Sequence, residues 1–589
     1  MDNKEIAKIL YEISEYLAME DVPFKPRAYE RAAMVVEELE DRVGDIYKKE
    51  GLKGLMNIPT VGKGIAERIK ELIKTGKIRY YEQLKKKTPV KVDELTVVEG
   101  VGPKIIKRLY KEIGVKNLTD LEKAAMTGKI RKLEGFGQKS EENILRGINF
   151  LKSSGGRFVL GFIMPGAREI EKRIGDFPGV KKAIIAGSIR RMKETIGDGD
   201  LLVTVSSPRA GQKIMEIFVN MPEVIHVYSQ GPTKSSVRLK NGMDFDLRVV
   251  PEESFGAALQ YFTGSKDHNI ELRKIAIKKG LKLNEYGVFR PKADQPRAGK
   301  MIVGKNEEEV YKILGLKWME PELRENAGEI EAAQNNRLPK IIGYNDLQGD
   351  LQIQTNWTDG SNSIEDYVEE AIKLGLEYIL ITDHTKSLAM THGLDERGLA
   401  RQGKEIDKIN SRLRSSSYGG QAKFKILKGA EVNILKDGRL DIKDDTLHKL
   451  DVVAIAIHSG FKSSKKEMTE RIIKAMKNPH ADILFHPTGR LINQRPPYEV
   501  DVEKIIRVAK ETKTVLEVNA YPNRLDLKDE YARMAKNMGV KLSIDSDAHH
   551  VSHLHFLEFG IAQARRGWVE KKDVINAWPV EKMLKMLKP

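Results

Sequence analysis

The stretch that decides the fold is Gly187-Ser188-Ile189-Arg190-Arg191, followed after six residues by Asp198-Gly199-Asp200. Apolar runs flank it: Ala183-Ile184-Ile185 precedes the Gly-Ser pair, and residues 201–205 follow Asp200. Apolar runs of this length between turn residues predict buried strands. Because residues i and i+2 share one face of a strand, Asp198 and Asp200 are predicted to point the same way.

This arrangement favours a metal ion and a phosphate. Two like charges held close together need a cation between them, or one must take a proton. Magnesium prefers one or two carboxylates plus substrate phosphates. The Gly-Ser turn can offer backbone N–H groups to a phosphate, and Arg190 or Arg191 can add positive charge. An Asp-x-Asp alone is usually a pair of surface aspartates, but the ordered combination is much more specific.

A second Asp-x-Asp follows a predicted hairpin. Val237-Arg238-Leu239 leads into Asn241-Gly242, and residues 243–250 read Met-Asp-Phe-Asp-Leu-Arg-Val-Val. Asn-Gly between two strand-like runs is a strong hairpin signal. A carboxylate from Asp244 or Asp246 could complete a site for two metal ions, one activating the attacking oxygen and one holding a triphosphate.

The order and spacing of these motifs resemble the nucleotidyltransferases, and closely the family X DNA polymerases, the polymerase-beta-like group. The resemblance extends over residues 246–251, Tyr261-Phe-Thr-Gly-Ser265 and residues 284–287. It implies an α/β nucleotidyltransferase palm followed by a thumb-like, nucleotide-selecting subdomain. It also implies that Asp198, Asp200 and Asp246 are the catalytic carboxylates and that they bind Mg²⁺ or Mn²⁺.

The same resemblance implies a set of residues around the incoming nucleotide. Ser188 and Arg191 would bind the triphosphate, Tyr261 and Phe262 would pack against the nascent sugar, and Arg273 would contact the template strand. The nucleotide-binding residues implied in this way are Gly187, Ser188, Arg191, Gly197, Tyr261, Phe262 and Asn269, the last through the incoming base.

Composition limits the remaining possibilities. A chain of 589 residues should hold several domains. It has no cysteine and no apolar run long enough to span a membrane, so we expect an intracellular, cytoplasmic protein. Of the net charge of +16, +13 lies in residues 1–340. A surface that binds a polyanion is therefore expected in that part, although lysine-rich surfaces are common.

Three similar segments in the basic part predict a repeated unit. They cover residues 58–66, 98–106 and 133–140, and each joins two helical segments through glycines. They resemble helix-hairpin-helix motifs, which grip the DNA backbone without reading sequence. A packing corner with a glycine cap is the alternative, and three copies in a basic region argue against it. The implied DNA-binding residues are Gly62, Gly64, Gly100, Gly102, Lys104, Gly135, Gly137 and, in the thumb, Arg273.

Two positions in the first copy depart from the pattern. Thr60 stands where the other copies have glycine, so this turn is the least certain of the three. In polymerase beta a lysine of this domain forms a Schiff base with an abasic sugar, and the resemblance puts Arg68 at that position. Arginine stays protonated and cannot act as the amine nucleophile. An abasic-site lyase is therefore not expected by that route, although Lys63 or Lys70 could act weakly.

Strand-like and helical segments alternate from residue 343 onward, which predicts a parallel α/β barrel. Polar residues stand at or just after the ends of the predicted strands, where a barrel collects its ligands. A cluster of His, Asp and Glu at that face would bind zinc or manganese. The metal-ligand candidates are Asp359, His384, Glu431, His458, His486, Asp547 and His549.

These motifs resemble the PHP phosphoesterase domain, which many bacterial and archaeal family X polymerases carry. The family pattern in the first motif is Asp-Leu-His-x-His, whereas this chain has Asp350-Leu351-Gln352-Ile353-Gln354. Glutamine is a poorer transition-metal ligand than imidazole, so the site that both histidines would build should be weak or empty. The remaining positions suffice for two ions, and the resemblance implies a manganese-dependent 3′→5′ exonuclease and abasic-site endonuclease.

We therefore predict a monomeric DNA repair enzyme that fills short gaps from dNTPs on gapped or primer–template DNA. A DNA-binding scaffold with a silent PHP domain and a template-independent nucleotidyltransferase are the alternatives. The predicted domains are a helix-hairpin-helix domain (1–85), a second one (86–152), the palm (153–255), the nucleotide-selecting subdomain (256–325), a linker (326–342) and the PHP barrel (343–589).

Overall fold

The computed structural model describes residues 3–39, 41–96, 98, 101–154, 156–291, 299–415 and 424–588. It contains two compact units, each built from several stretches of chain. The first comprises Met1–Arg157, Ile174–Ala183 and Gly197–Val249, and the second comprises Phe158–Arg173, Ile184–Ile196 and Val250–Pro589.

The N-terminal part of the first unit is entirely helical. Ile6, Leu10, Ile13 and Leu17 of the first helix recur at helical spacing and are all buried in one apolar core. Its helices are α1 (Asn3–Met19), α2 (Lys25–Glu38), α3 (Val43–Met56), α4 (Lys63–Thr75), α5 (Arg79–Lys87), α6 (Val92–Leu95), α7 (Pro103–Ile113), α8 (Leu118–Met126) and α9 (Gln138–Ser154).

The three repeated segments form turns that lead into α4, α7 and α9. Gly62 and Gly102 are the N-cap residues of α4 and α7, and Gly137 directly precedes α9. The first copy makes its turn without glycine: Thr60 has a φ of 66°, in the left-handed region that Gly135 adopts with a φ of 76°. The threonine accepts a conformation that glycine adopts at lower cost.

Residues 158–249 alternate strands and helices. The elements are β1 (Phe158–Val159), α10 (Leu160–Gly175), β2 (Val180–Ile185), α11 (Gly187–Arg190), β3 (Thr195–Ile196), β4 (Asp198–Val205), α12 (Pro208–Val219), β5 (Val224–Gln230), β6 (Lys234–Leu239) and β7 (Asp244–Val249). Five of the strands form one mixed sheet in the order β2-β4-β7-β6-β5. The Asn241-Gly242 hairpin is confirmed, because β6 and β7 pair antiparallel and Gly242 has a φ of 86°.

The longest stretch of the second unit, Val250–Pro589, begins with a small layer of helices and strands. Its elements are α13 (Phe255–Thr263), α14 (Lys266–Lys278), β8 (Lys282–Asn284), β9 (Gly287–Arg290), β10 (Lys300–Val303), α15 (Glu307–Ile313) and α16 (Glu329–Gln334). The strands form an antiparallel sheet in the order β10-β9-β8. Leu272, Tyr311 and Met319 belong to the buried core of this layer.

A seven-stranded parallel sheet follows, with strands in chain order. Its first and last strands are linked, since Ile353 forms a parallel bridge with Ala548, so the sheet is a nearly closed barrel, as predicted. The strands are β11 (Gly349–Ile353), β12 (Tyr378–Ile381), β13 (Lys425–Asn433), β14 (Val452–Ala456), β15 (Ile483–Leu484), β16 (Val515–Asn519) and β17 (Leu542–Asp545). The helices are α17 (Ile364–Lys373), α18 (Glu396–Ser415), α19 (Asp444–Leu447), α20 (Lys465–Met476), α21 (Val502–Thr512), α22 (Asp529–Met538), α23 (Leu557–Arg566) and α24 (Val580–Leu587).

The start of α10 packs against the rim of this barrel. Both guanidinium Nη atoms of Arg168 donate to the Glu558 carboxylate, at 3.0 and 2.9 Å. An ideal Cβ on Gly161 would lie 2.6 Å from the Cβ and Cγ atoms of Pro522 and 3.0 Å from the Phe559 ring. The helix therefore approaches the 520–525 loop as closely as it does only because residue 161 has no side chain.

We expect Gly161→Ala to lower the free energy of unfolding by about 1–3 kcal/mol, because the added methyl group would overlap a rigid proline ring. Gly166 lies on the same helix with no atom within 4 Å of an added Cβ, so it provides a matched control. Gly166→Ala should be neutral or stabilising. Thermal unfolding followed by circular dichroism measures both, and equal stability of the two variants would contradict the close approach.

Candidate active sites

The predicted carboxylates of the first unit come together through strand register. β4 and β7 pair in parallel, with Asp198 opposite Asp244 and Asp200 opposite Asp246. The two Asp-x-Asp pairs therefore lie side by side on adjacent strands, and residues two apart share one face. Asp198 is exposed, whereas Asp200 and Asp246 are half-buried.

The carboxylates of Asp198, Asp200 and Asp246 repel one another. Burial, and then the charges of Asp198 and Asp246, raise the pKa of Asp200 to about 7. Burial and the neighbouring carboxylates of Asp246 and Asp244 also raise the pKa of Asp198. On the far side, Lys234 Nζ lies 3.2 Å and Arg248 Nη2 3.7 Å from Asp246 Oδ2. A divalent cation among the three carboxylates would relieve this repulsion, so the donor set fits one.

Asp244 is held differently from Asp246. The guanidinium of Arg238 grips both of its carboxylate oxygens, at 2.8 and 3.0 Å. Arg238 also donates to the backbone carbonyl of Thr96, at 2.8 Å. Asp244 is thus neutralised by a bidentate ion pair, which leaves Asp246 as the carboxylate of this strand that faces Asp200. This pairing could not be predicted from the sequence, apart from the presence of an arginine on the neighbouring strand.

The Gly187–Arg191 turn belongs to the second unit, and its arginines are anchored there. Arg190 donates to both oxygens of Glu307, at 2.8 and 2.9 Å, and to Thr263 Oγ1 at 2.6 Å. Arg191 Nε donates to Glu325 at 2.8 Å, and its Nη1 donates to the Thr263 carbonyl. Gly187 has a φ of 64° and is buried, and Ser188 is half-buried.

Glu307 holds this anchor through a second, fully buried arginine. Arg324 Nη1 donates to Glu307 Oε1 at 2.6 Å, and its Nε and Nη2 donate to the Met319 carbonyl. Burial alone would raise the pKa of Glu307, but Arg324 and Arg190 hold it far below its ordinary value. Glu307, Glu325 and Arg324 were not predicted as site residues, because their partners are more than 100 positions away in the chain or carry no motif.

The predicted nucleotide-selecting residues lie on α13 and α14. Tyr261 and Phe262 are half-buried and meet edge to face, with ring centroids 5.1 Å apart. Asn269 Oδ1 accepts from Gln260 at 2.7 Å, and its Nδ2 donates to the Tyr261 carbonyl at 2.7 Å. Arg273 Nε donates to the Asn269 carbonyl at 3.3 Å. The Asn269 amide therefore supports the turn that carries the aromatic pair.

Most of the described glycines predicted to bind DNA have open space beside them, because an added Cβ on Gly62, Gly64, Gly102 or Gly137 would meet no atom within 4 Å. Gly62, Gly64, Gly135 and Gly137 are exposed, Gly102 is half-buried, and Gly197 is half-buried beside Arg157. Gly100 lies outside the described residues. Lys104 is exposed, with its Nζ 3.2 Å from Asp21. Arg68, at the position implied for a lyase lysine, stacks over the Tyr80 ring at 4.7 Å.

The predicted metal ligands of the barrel gather at the carboxyl ends of its strands. Glu431 lies on β13, and the others follow β11, β12, β14, β15 and β17. Two groups have ligand atoms within 4.8 Å of one another: Asp359 with His384 and His549, and His384 with Glu431 and His458. His486 joins the second group, because its Nε2 lies 2.9 Å from Glu431 Oε1.

Neighbouring side chains orient these ligands for an ion. His458 Nδ1 lies 2.7 Å from Asn433 Oδ1, which accepts the ring proton and leaves Nε2 as the lone-pair atom facing the site. His384 Nδ1 and His486 Nδ1 are buried and lack a hydrogen-bond partner. Burial alone would raise the pKa of Glu431, but His384 and His458 hold it well below its ordinary value. Nitrogen and carboxylate donors arranged in this way fit Mn²⁺ or Zn²⁺ at these two groups.

The two glutamines of the first motif do not fit an ion. Gln352 Nε2 and Gln354 Nε2 donate to Glu431 Oε2, at 3.2 and 2.8 Å, and all three side chains are buried. Their N–H groups point at the carboxylate where a cation would stand. This geometry supports the prediction that the position of the two missing histidines binds an ion weakly or not at all.

Asp547, on the same side of the barrel, already has a cation. Arg524 Nε lies 3.1 Å from Asp547 Oδ2, and Asn519 Nδ2 donates to the same oxygen at 3.1 Å. Burial alone would raise the pKa of Asp547, but the charges of Arg524 and His549 hold it below its ordinary value. Arg524 was not predicted as a site residue, because only the fold brings it to Asp547.

Comparisons with known proteins agree with this architecture. Family models for a helix-hairpin-helix domain, a SAM-like helix-hairpin-helix tandem, the DNA polymerase beta thumb and the PHP domain match residues 1–78, 92–149, 258–325 and 350–521. The "DNA polymerase/3′-5′ exonuclease PolX" of Bacillus subtilis (strain 168) is 37% identical over 580 residues, 98% of each chain. The chain belongs to the family X DNA polymerases.

Within this family the chain carries the helix-hairpin-helix domains, the polymerase beta thumb and a C-terminal PHP domain. Shorter relatives resemble part of it. A "probable phosphatase" of Thermoanaerobacter sp. (strain X514) is 33% identical over 198 residues, 32% of this chain and 73% of that protein. A "probable phosphatase" of Acetivibrio thermocellus is 31% identical over 196 residues, with the same two shares. No helix within the described ranges is long and apolar enough to cross a membrane.

We expect Asn433→Ala to lower metal-dependent nuclease activity about 10- to 100-fold, because His458 loses the acceptor that orients its ring. Nucleotide incorporation should be unchanged. Asn410→Ala is the matched control. The Asn410 side chain hydrogen-bonds the backbone of Ile426, which lies on β13 like Asn433 but away from the predicted ligands. Steady-state assays on labelled DNA measure both activities, and equal nuclease losses in the two variants would contradict a positioning role for Asn433.

Proposed function

We propose that this chain is a DNA-directed DNA polymerase that fills short gaps during base excision repair, using dNTPs and Mg²⁺ or Mn²⁺. The observation that supports the proposal most strongly is the parallel register of β4 and β7, which sets Asp200 opposite Asp246 beside Asp198. Its relative in B. subtilis is named a DNA polymerase and a 3′-5′ exonuclease. The domain boundaries given above, the monomeric state and a cytoplasmic location belong to the same proposal.

In this proposal the chain binds DNA by its backbone and the nucleotide by its phosphates. The glycine turns before α4, α7 and α9 hold DNA phosphates through free N–H groups, without selecting a base. Ser188, Arg191 and the backbone of Gly187 hold the triphosphate, with Gly197 lining its path. Tyr261 and Phe262 exclude a 2′-hydroxyl, Asn269 meets the incoming base, and Arg273 meets the template strand.

Transfer then depends on position and charge. Asp198 and Asp200 hold the ions, and Asp246 helps the primer 3′-hydroxyl to lose its proton as it attacks the α-phosphorus. The bond to pyrophosphate breaks as the new phosphodiester forms. Lys234 and Arg248 both place positive charge against Asp246 Oδ2, at 3.2 and 3.7 Å. Much of the rate enhancement comes from this fixed arrangement.

We also propose a second activity in the barrel, a manganese-dependent 3′→5′ exonuclease and abasic-site endonuclease. The groups around Asp359 and around Glu431 would hold two ions, with His384 shared between them. Bound at either site of the chain, divalent ions polarise phosphate oxygens and lower the pKa of an attacking hydroxyl or water. Asn433 keeps the His458 ring in its ligating orientation throughout.

Asp198→Ala should abolish nucleotide incorporation on gapped DNA while leaving DNA binding largely intact, because it removes a metal-binding carboxylate and no DNA contact. Asp244→Asn is the matched control, since Asp244 is the register partner of Asp198 but is held by Arg238. Primer extension and gel-shift assays measure the two properties. Retained synthesis in Asp198→Ala, or equal loss in the control, would exclude this site.

His458→Ala should remove nuclease activity and spare polymerisation, because the ring supplies an ion ligand in the barrel alone. His448 is exposed and meets His480 edge to face instead, with ring centroids 5.8 Å apart, so His448→Ala controls for the loss of a histidine. The assay uses a primer labelled at its 5′ end, with Mn²⁺ and no dNTPs. Shortening that persists in His458→Ala would place the nuclease elsewhere, and an intact primer in the unaltered protein would mean that the barrel is silent.

A further inference from the structure

We propose that the guanidinium of Arg524 replaces the metal ion that two histidines at positions 352 and 354 would bind. The barrel then holds two ions and supplies the remaining positive charge with its own side chain. The inference rests on the proposed barrel site and deepens it. It assigns a function to Arg524, Gln352 and Gln354 that the family resemblance does not supply.

The first step concerns Glu431, whose Oε2 atom is occupied by protein donors. The amides of Gln352 and Gln354 both donate to it, at 3.2 and 2.8 Å. The Gln352 orientation is fixed from the other end, because its Oε1 accepts from Asn519 Nδ2 at 3.0 Å. Both amides therefore direct their donors, and not their carbonyl lone pairs, at Glu431 Oε2.

The second step concerns Asp547, the other carboxylate that borders this position. It is 4% exposed, so its charge requires a partner. Arg524 Nε supplies the charge at 3.1 Å, and Asn519 Nδ2 connects the same oxygen to the Gln352 amide. The carboxylates of Glu431 and Asp547 are thus joined by amide and guanidinium groups, where an ion would otherwise neutralise both.

The third step is that Arg524 is held in place from outside the barrel sheet. Arg490 Nε donates to the Arg524 carbonyl at 2.8 Å, and its Nη2 donates to the Leu525 carbonyl. Arg490 is itself fixed by Glu194, at 3.3 and 2.7 Å. Pro522 of the same loop is in contact with Gly161 of α10. A guanidinium on a loop fixed at these points is a permanent part of the site.

The Arg524 side chain is also partly open to solvent. It is 23% exposed, and the guanidinium has five N–H donors, of which Nε is directed at Asp547. The remaining donors can meet a phosphate oxygen as the DNA enters, which is the second task of an ion at this position. Lysine could supply the charge but not this planar, two-sided contact.

Isothermal titration calorimetry measures the number of bound Mn²⁺ ions and their affinity. Every chain in the test carries Asp198→Asn and Asp200→Asn, which remove the ions of the polymerase site. The otherwise unaltered chain should bind two Mn²⁺. Arg524→Gln should still bind two, but about tenfold more tightly, because a neighbouring positive charge has been removed. Arg524→Lys should leave the affinity unchanged. Restoring imidazole ligands and freeing Asp547, in Gln352→His/Gln354→His/Arg524→Gln, should raise the count to three.

Three ions in the otherwise unaltered chain would overturn the proposal, as would weaker or unchanged Mn²⁺ binding in Arg524→Gln. If that variant does not fold, the number of ions in the unaltered chain and in Gln352→His/Gln354→His tests the proposal. A number that stays at two after both histidines are restored requires Arg524 to occupy the place of the missing ion. These counts do not depend on catalysis. A barrel that binds two ions and cleaves no DNA would refute the proposed nuclease while leaving this inference standing.

Discussion

Carboxylates forced together by strand register are the constraint on which both candidate sites depend. In the first unit the parallel pairing of β4 and β7 fixes Asp200 opposite Asp246, with Asp198 next to them. In the barrel, parallel strands bring Glu431 and Asp547 to one edge of the sheet. Charges of one sign so close together in a partly buried setting need cations beside them, or one of the groups must take up a proton. The fold therefore brings negative charges together, and metal ions, lysine and arginine balance them.

The two sites differ in how much of the carboxylate charge is balanced by side chains of the protein. In the first, Lys234 and Arg248 both lie against Oδ2 of Asp246, whereas the largest charge effects on Asp198 and Asp200 come from other carboxylates. In the barrel, His458 and His486 face Oε1 of Glu431, the amides of Gln352 and Gln354 face its Oε2, and Arg524 pairs with Asp547 instead. Under the proposed function, one chain therefore keeps three carboxylates for nucleotidyl transfer while its second site has fewer metal ligands.

Much of this could be predicted from the sequence, because its strongest signals are local. The Asn241-Gly242 hairpin, the strands that carry Asp198 and Asp246, and the strands of the barrel follow from short-range alternation and turn chemistry. The residues that hold the sites together could not be predicted in the same way. Arg238 with Asp244, Arg324 with Glu307, and Arg524 with Asp547 are pairs that only the tertiary fold creates. At Thr60 the local signal was misleading in the other direction. The absence of glycine makes the turn uncertain from the sequence, yet the left-handed turn forms.

The most direct measurement is the anomalous scattering of manganese in crystals of the full chain soaked with Mn²⁺, with gapped DNA and a non-hydrolysable dNTP bound. The account predicts manganese beside Asp198, Asp200 and Asp246, and two further ions in the barrel, one at Asp359, His384 and His549 and one at Glu431, His458 and His486. Arg524 should remain paired with Asp547. A manganese peak between Gln352 and Gln354, or no peak at the three aspartates, would contradict it.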